Sequence, residues 1–173
     1  AGLTPREENG FALWPLEGAR KRLKRTLDNL DASLLDWEPY PDGNSIGTLL
    51  YHIAAIEIDW LYCEVLELEF PAEVQALLPH PVRDESGRLF PVTAVSLADH
   101  LNRLDTARQL LLDVYADLTL ADFRRLRHLP QYQVSPEWVL YHLTQHETEH
   151  RGQIQEILTW SKYHGRENPQ SLE

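Results

Sequence analysis

The chain has 173 residues, the length of one ordinary domain, and carries 16 Lys and Arg against 27 Asp and Glu. The resulting net charge of −11 excludes a general nucleic-acid or anionic-membrane binder, and 43% apolar residues exclude intrinsic disorder. The single cysteine, Cys63, permits neither an internal disulfide nor a Cys-x-x-Cys metal site, which fits a reducing compartment.

A helical period runs from about Gly10 to Leu35, with Trp14, Leu16, Leu23, Leu27, Leu30 and Leu34 inward and Pro15 near the start. The basic run Arg20-Lys21-Arg22-Leu23-Lys24-Arg25 belongs to its wet face; the functional alternative is a dock for an anionic ligand. Glu38-Pro39-Tyr40-Pro41-Asp42-Gly43 breaks the pattern. Asn44 or Ser45 caps a second helix reaching to about Leu68, with Leu49, His52, Ile53, Ile56, Trp60 and Cys63 on its inner stripe. His52, Glu57 and Asp59 interrupt the most apolar stretch, so no membrane span is expected. No basic segment followed by an apolar block marks a secretion signal, and the expectation is a cytoplasmic, single-domain chain over residues 1–173.

Pro79 to Val95 holds three prolines and an Glu85-Ser86-Gly87-Arg88 turn, and reads as a long connection with a small hairpin over one end of the domain. Ser96 with Asp99 opens a third helix, whose apolar side is Leu101, Leu104, Leu111, Val114 and Leu118. An irregular link with Arg124, Arg125, Arg127 and His128 ends at Val134. Ser135, Pro136 and Glu137 then form the cap, first position and first turn of a fourth helix, to about Tyr163. Four helices with little strand signal predict an all-α helical bundle.

Eight histidines are what composition leaves unexplained. His146 and His150 are one helical turn apart and project from one face, the spacing at which a helix offers two nitrogens to one cation. His142 extends the column a further turn back. A third ligand must come from elsewhere, and His52 is the strongest candidate, because an imidazole on an apolar stripe needs a hydrogen-bond partner or a metal. A lone histidine on such a stripe is more often a satisfied core residue; three converging in a bundle favour ligation. Asp59, seven residues beyond His52, is placed to orient a ligand or bind weakly. Cys63 lies about 16 Å along the axis from His52, too far to share that ion, and is expected to be a buried structural cysteine. His80, His100, His128 and His164 are expected to be solvated.

The letters His146-Glu147-Thr148-Glu149-His150 also spell H-E-x-x-H, in which the glutamate of a zinc peptidase activates water. The extended form of that motif needs a Gly and a His downstream; Arg151-Gly152-Gln153-Ile154 stands there instead, and the peptidase reading is disfavoured.

Ser45-Ile46-Gly47-Thr48-Leu49-Leu50-Tyr51-His52-Ile53-Ala54 and His146-Glu147-Thr148-Glu149-His150-Arg151-Gly152-Gln153-Ile154 resemble the two signatures of the DinB/YfiT-like family, in the same order and at similar separation. The resemblance implies an up-down-down-up four-helix bundle, often a homodimer, with a divalent metal, zinc or nickel, on His52, His146 and His150. Family members include thiol S-transferases using bacillithiol, mycothiol or similar thiols, a mycothiol-dependent maleylpyruvate isomerase, and proteins described as metal-dependent hydrolases. The long Pro79 to Val95 connection departs from the family pattern.

Three neutral imidazoles leave a divalent ion with open positions, as in catalytic sites. The leading expectation is therefore a metal-dependent transferase that activates a low-molecular-weight thiol toward a small electrophilic substrate, with His142, Glu149 or Gln153 orienting ligands or moving protons. Hydrolysis by metal-activated water uses the same ligands. A non-catalytic metal-binding stress-response module is the alternative from a different class.

Overall fold

Three of the four long helices begin where a serine offers its side-chain oxygen to a free backbone N–H. In a computed structural model describing residues 5–164, with side chains described for 10–163, these helices are α2 (Ile46–Asp59), α4 (Leu97–Asp117) and α6 (Pro136–His164); α1 (Pro5–Thr26) precedes them. Ser45 Oγ accepts from the Thr48 N–H at 3.2 Å, Ser96 Oγ from Asp99 at 3.1 Å and Ser135 Oγ from Trp138 at 3.2 Å. Ser45, rather than Asn44, is thus the cap of α2. The short helices α3 (Ala72–Gln75) and α5 (Leu120–Arg124) lie in the connections.

Helix α1 departs from its expected bounds at both ends. It begins by Pro5, so Pro15 lies in its interior and withholds a backbone donor on an exposed face. It ends at Thr26, because Asn29 takes a left-handed conformation (φ 60°) and Asp31 caps a separate 3-10 turn, Ala32–Leu34, through the Ser33 N–H. Trp14, expected inside, is 78% exposed.

Residue pairs fix the helix directions. Leu16 shares a core cluster with Val139, Leu140 and Leu143, and Leu23 with Ile154 and Ile157, so α1 and α6 are parallel. His52 meets His146 while Trp60 meets Trp138, so α2 and α6 are antiparallel. Gly47 lies against His100 and Glu57 against Arg108, so α2 and α4 run parallel. The bundle is up-down-down-up, as the resemblance implied. Parallel neighbours cannot be joined by a tight turn; the chain must travel back about 30 Å for a 21-residue helix. That requirement accounts for the long connection between α2 and α4. It does contain a minimal hairpin, with Arg83 bridged to Leu89 and Phe90 donating to the Val82 carbonyl at 3.1 Å. The link after α5 holds a second, unexpected one, β1 (Arg127–His128) paired antiparallel with β2 (Gln133–Val134).

Helix α2 continues as a π-helical stretch, Trp60–Leu66. Its wider turn changes the phase of the inner stripe: Leu61, Glu64 and Val65 are buried there, and Cys63 is exposed rather than buried. The Cys63 thiol instead lies 3.6 Å from Asp59 Oδ1.

Four charged side chains meet inside the bundle, one from each long helix. Arg20 donates to Glu147 Oε1 and Glu57 Oε2, each at 2.7 Å; Arg108 donates to Glu57 Oε1 at 2.7 Å and Glu147 Oε2 at 2.8 Å. All four are at most 5% exposed. Arg20 therefore leaves the wet face on which the basic run was expected. Burial on this scale is tolerated because each charge is paired and multiply hydrogen-bonded.

Candidate metal centre

Midway along the α2–α6 seam, His52 of α2 faces His146 and His150 of α6. Ser45 sets the start of α2 and Ser135 that of α6, and the i, i+4 spacing stacks His146 and His150 on one face. His146 Nε2 lies 3.1 Å from His52 Nε2 and 3.0 Å from His150 Nε2, and the ligand atoms of all three lie within 4.8 Å of one another. His52 is buried; the other two are half-buried.

The protonation state follows from burial. Desolvation first, then the neighbouring imidazoles, push His146 down to about 3. His52 falls to about 4 through burial, His150 and the Arg83 guanidinium. Burial also lowers His150. All three are neutral imidazoles at physiological pH. His150 Nδ1 lies 2.8 Å from Gln153 Oε1, which accepts only, so the His150 proton sits on Nδ1 and its Nε2 lone pair points at the other two rings. His52 Nδ1 is buried with no partner among the described residues.

Three nitrogens so close make a poor hydrogen-bond network, since one ring proton on His146 can serve only one neighbour. They fit a cation well: nitrogen ligands of a tetrahedral ion at about 2.0–2.1 Å are about 3.3 Å apart. No other group of three His, Cys, Asp or Glu side chains among the described residues converges this way.

The remaining expected site residues fall around this centre. Gln153 contacts His150 directly. His142, one turn before His146, is half-buried, stacked on Trp138 at 5.2 Å and tilted against Trp60 at 4.3 Å between centroids; its ring is 6.1 Å from His146. Glu149 is exposed and accepts from Gln145 Nε2 at 2.8 Å. Asp59 does not join the three imidazoles. His80 is half-buried against Phe90, and its carbonyl accepts from the Tyr51 hydroxyl at 2.6 Å. His100, expected in solvent, is 1% exposed, because Gly47 has no Cβ and lets it pack against the start of α2. His128 is exposed; the His164 side chain lies outside the described ones.

Glu147, the glutamate of the H-E-x-x-H letters, turns away from the histidines into the buried charge cluster, held by Arg20 and Arg108. A peptidase base must reach water beside the metal, so this geometry removes that reading. Sequence reasoning missed the aromatic wall of Trp60, Tyr132 and Trp138 beside His142, which forms only when the π-helical extension of α2, the β1–β2 link and α6 come together. A cleft of about 160 Å³ opens beside Gln153 on the other side, lined by Tyr40, Asn44, Leu49, Glu156 and Trp160 among others.

Fold and site together define an up-down-down-up four-helix bundle with a histidine centre between two of its helices. The chain belongs to the DinB superfamily, whose family model matches residues 16–154. In fold it is similar to a conserved protein from Enterococcus faecalis at 15% identity, with a TM-score of 0.68 and coverage of 92% of this chain and 98% of that one. It is also similar to YfiT from Bacillus subtilis, described as "a probable metal-dependent hydrolase with an unusual four-helix bundle topology". That likeness has 18% identity, a TM-score of 0.58 and coverage of 95% of this chain and 92% of that one. No curated protein matches the sequence significantly.

Proposed function

We propose that this protein is a metal-dependent enzyme that activates a low-molecular-weight thiol, of the bacillithiol or mycothiol type, for S-transfer to a small electrophile. His52, His146 and His150 would hold a divalent ion, zinc or nickel. The observation that carries this reading is the convergence of three neutral imidazole nitrogens, with His150 fixed in the ligating tautomer by Gln153. A divalent ion on three neutral ligands lowers the pKa of a coordinated thiol or water, supplying a nucleophile at neutral pH.

Gln153 is a positioning residue for His150. His142, with burial lowering its pKa, is our candidate for taking up a proton beside the centre. Glu149 raises the basicity of His142 and His150 through its charge, without contacting the centre. Hydrolysis is the second reading, favoured by the description of the Bacillus subtilis neighbour.

Elemental analysis of the purified protein is expected to find about one divalent ion per chain. His150→Ala is expected to lower metal affinity by at least about tenfold, as it deletes one of three ligands. Loaded protein is then assayed with a panel of thiols and electrophiles, and with esters and amides. Unchanged affinity in the variant refutes the ligand assignment. Ester or amide turnover without thiol-dependent conjugation selects hydrolysis.

A further inference from the structure

The cleft of about 160 Å³ beside Gln153 forms where the breaker before α2 meets the last turns of α6. Tyr40 comes from the first, Glu156 and Trp160 from the second. Leu49 and Ile157, 1% and 5% exposed, give it an apolar floor. A turn holds Tyr40 in place: the Gly43 N–H donates to its carbonyl at 2.9 Å, and a Cβ on Gly43 would stand 3.1 Å from its ring. A protein cavity of about 150 Å³ accepts benzene, so this cleft holds a group of about six non-hydrogen atoms.

His150 turns Nε2 to His146 at 3.0 Å and Nδ1 to Gln153 at 2.8 Å. A guest touching Gln153 therefore lies behind His150, away from the nitrogens that face one another, and the cleft is distinct from the candidate metal centre. The Tyr40 and Trp160 rings meet at 69° with centroids 6.3 Å apart. That is a corner rather than a parallel slot, and it suits a rounded group better than a flat ring. Among the described residues lining the cleft, Glu156 alone is charged. Two aromatic rings, one carboxylate and an apolar floor together recognise an ammonium that carries alkyl groups. The rings attract it through cation–π contact, the carboxylate balances its charge, and the floor covers its methyl groups. A bare metal cation would lose water here without gaining a set of oxygen ligands. The net charge of −11 also draws cations toward the surface and repels anions.

We propose that the cleft of Tyr40, Glu156 and Trp160 is a second binding site, for a small alkylated ammonium group. The probes are tetramethylammonium chloride and tert-butanol, which has nearly the same shape and no charge; sodium chloride controls for salt. Each is titrated into metal-free and zinc-loaded protein, following the indole N–H resonance of Trp160 by NMR. Loss of that resonance in Trp160→Phe assigns it.

Tetramethylammonium is expected to shift the resonance saturably in both forms, with tert-butanol at least about threefold weaker. Glu156→Gln and Tyr40→Leu should each weaken tetramethylammonium by about threefold or more. Tyr163→Leu, which removes an exposed ring outside the cleft, should leave it unchanged. Equal binding of tert-butanol overturns the inference, as does a shift reproduced by sodium chloride. Affinity unchanged in both Glu156→Gln and Tyr40→Leu also overturns it. So does a response confined to zinc-loaded protein, which places the probe at the metal.

Discussion

Cys63 is exposed, yet its thiol is pushed up to about 12 by partial burial first, then by the charges of Asp59 and Glu64 and its contact with Asp59. The thiolate is the reactive form, so accessibility here does not mean reactivity. At pH 7.5, iodoacetamide is expected to alkylate Cys63 at least about 100-fold more slowly than an unperturbed thiol. Alkylation at the rate of a free cysteine would show that the carboxyl groups do not control it. The same local electrostatics act in the opposite sense on the histidines: burial removes their protons and leaves lone pairs for a cation.

At the scale of elements, one turn of α6 serves two sites back to back. His146 faces the candidate centre and Glu147, about 100° around the helix, enters the charge cluster. Glu147→Gln is expected to cost about 3–5 kcal/mol of stability in urea unfolding, because it removes one partner of a buried ionic group, while metal content stays that of wild type. Wild-type stability with abolished activity would instead restore Glu147 as a catalytic base. The helix starts were legible in the sequence because a cap is local: Ser45, Ser96 and Ser135 each act three residues ahead. His52, His146 and His150 were legible because a stripe position and an i, i+4 pair survive folding unchanged. Cys63 was not, since a uniform 3.6-residue period cannot register the π-helical stretch that starts at Trp60. The burial of Arg20 was hidden too, as its partners stand 37 and 127 residues away.

For the whole molecule, several imidazoles are buried neutral, and this sets an acid limit. His100 is held down to about 4 by burial first and then by Arg103. Below its unfolded value of about 6.5, the unfolded chain takes up a proton that the folded chain refuses. His100 therefore supports the fold fully above about pH 6.5, and that support falls away as pH drops toward about 4. Urea midpoints of metal-free protein from pH 7.5 to 4 are expected to fall less steeply for His100→Gln than for wild type. Parallel profiles would show that His100 titrates normally.

The pairing of Arg20, Glu57, Arg108 and Glu147 imposes a quorum on assembly. Each rod brings a single member, so the interior is electrically balanced only when all are present. A chain lacking α6, whether nicked or still being synthesised, encloses two guanidinium groups against the one buried carboxylate of Glu57, with only the half-exposed Glu17 of α1 on Arg108 besides. That side must stay hydrated until the last rod arrives, and the same rod delivers two of the three imidazoles. Closure of the bundle and assembly of the three-histidine group are thus one event.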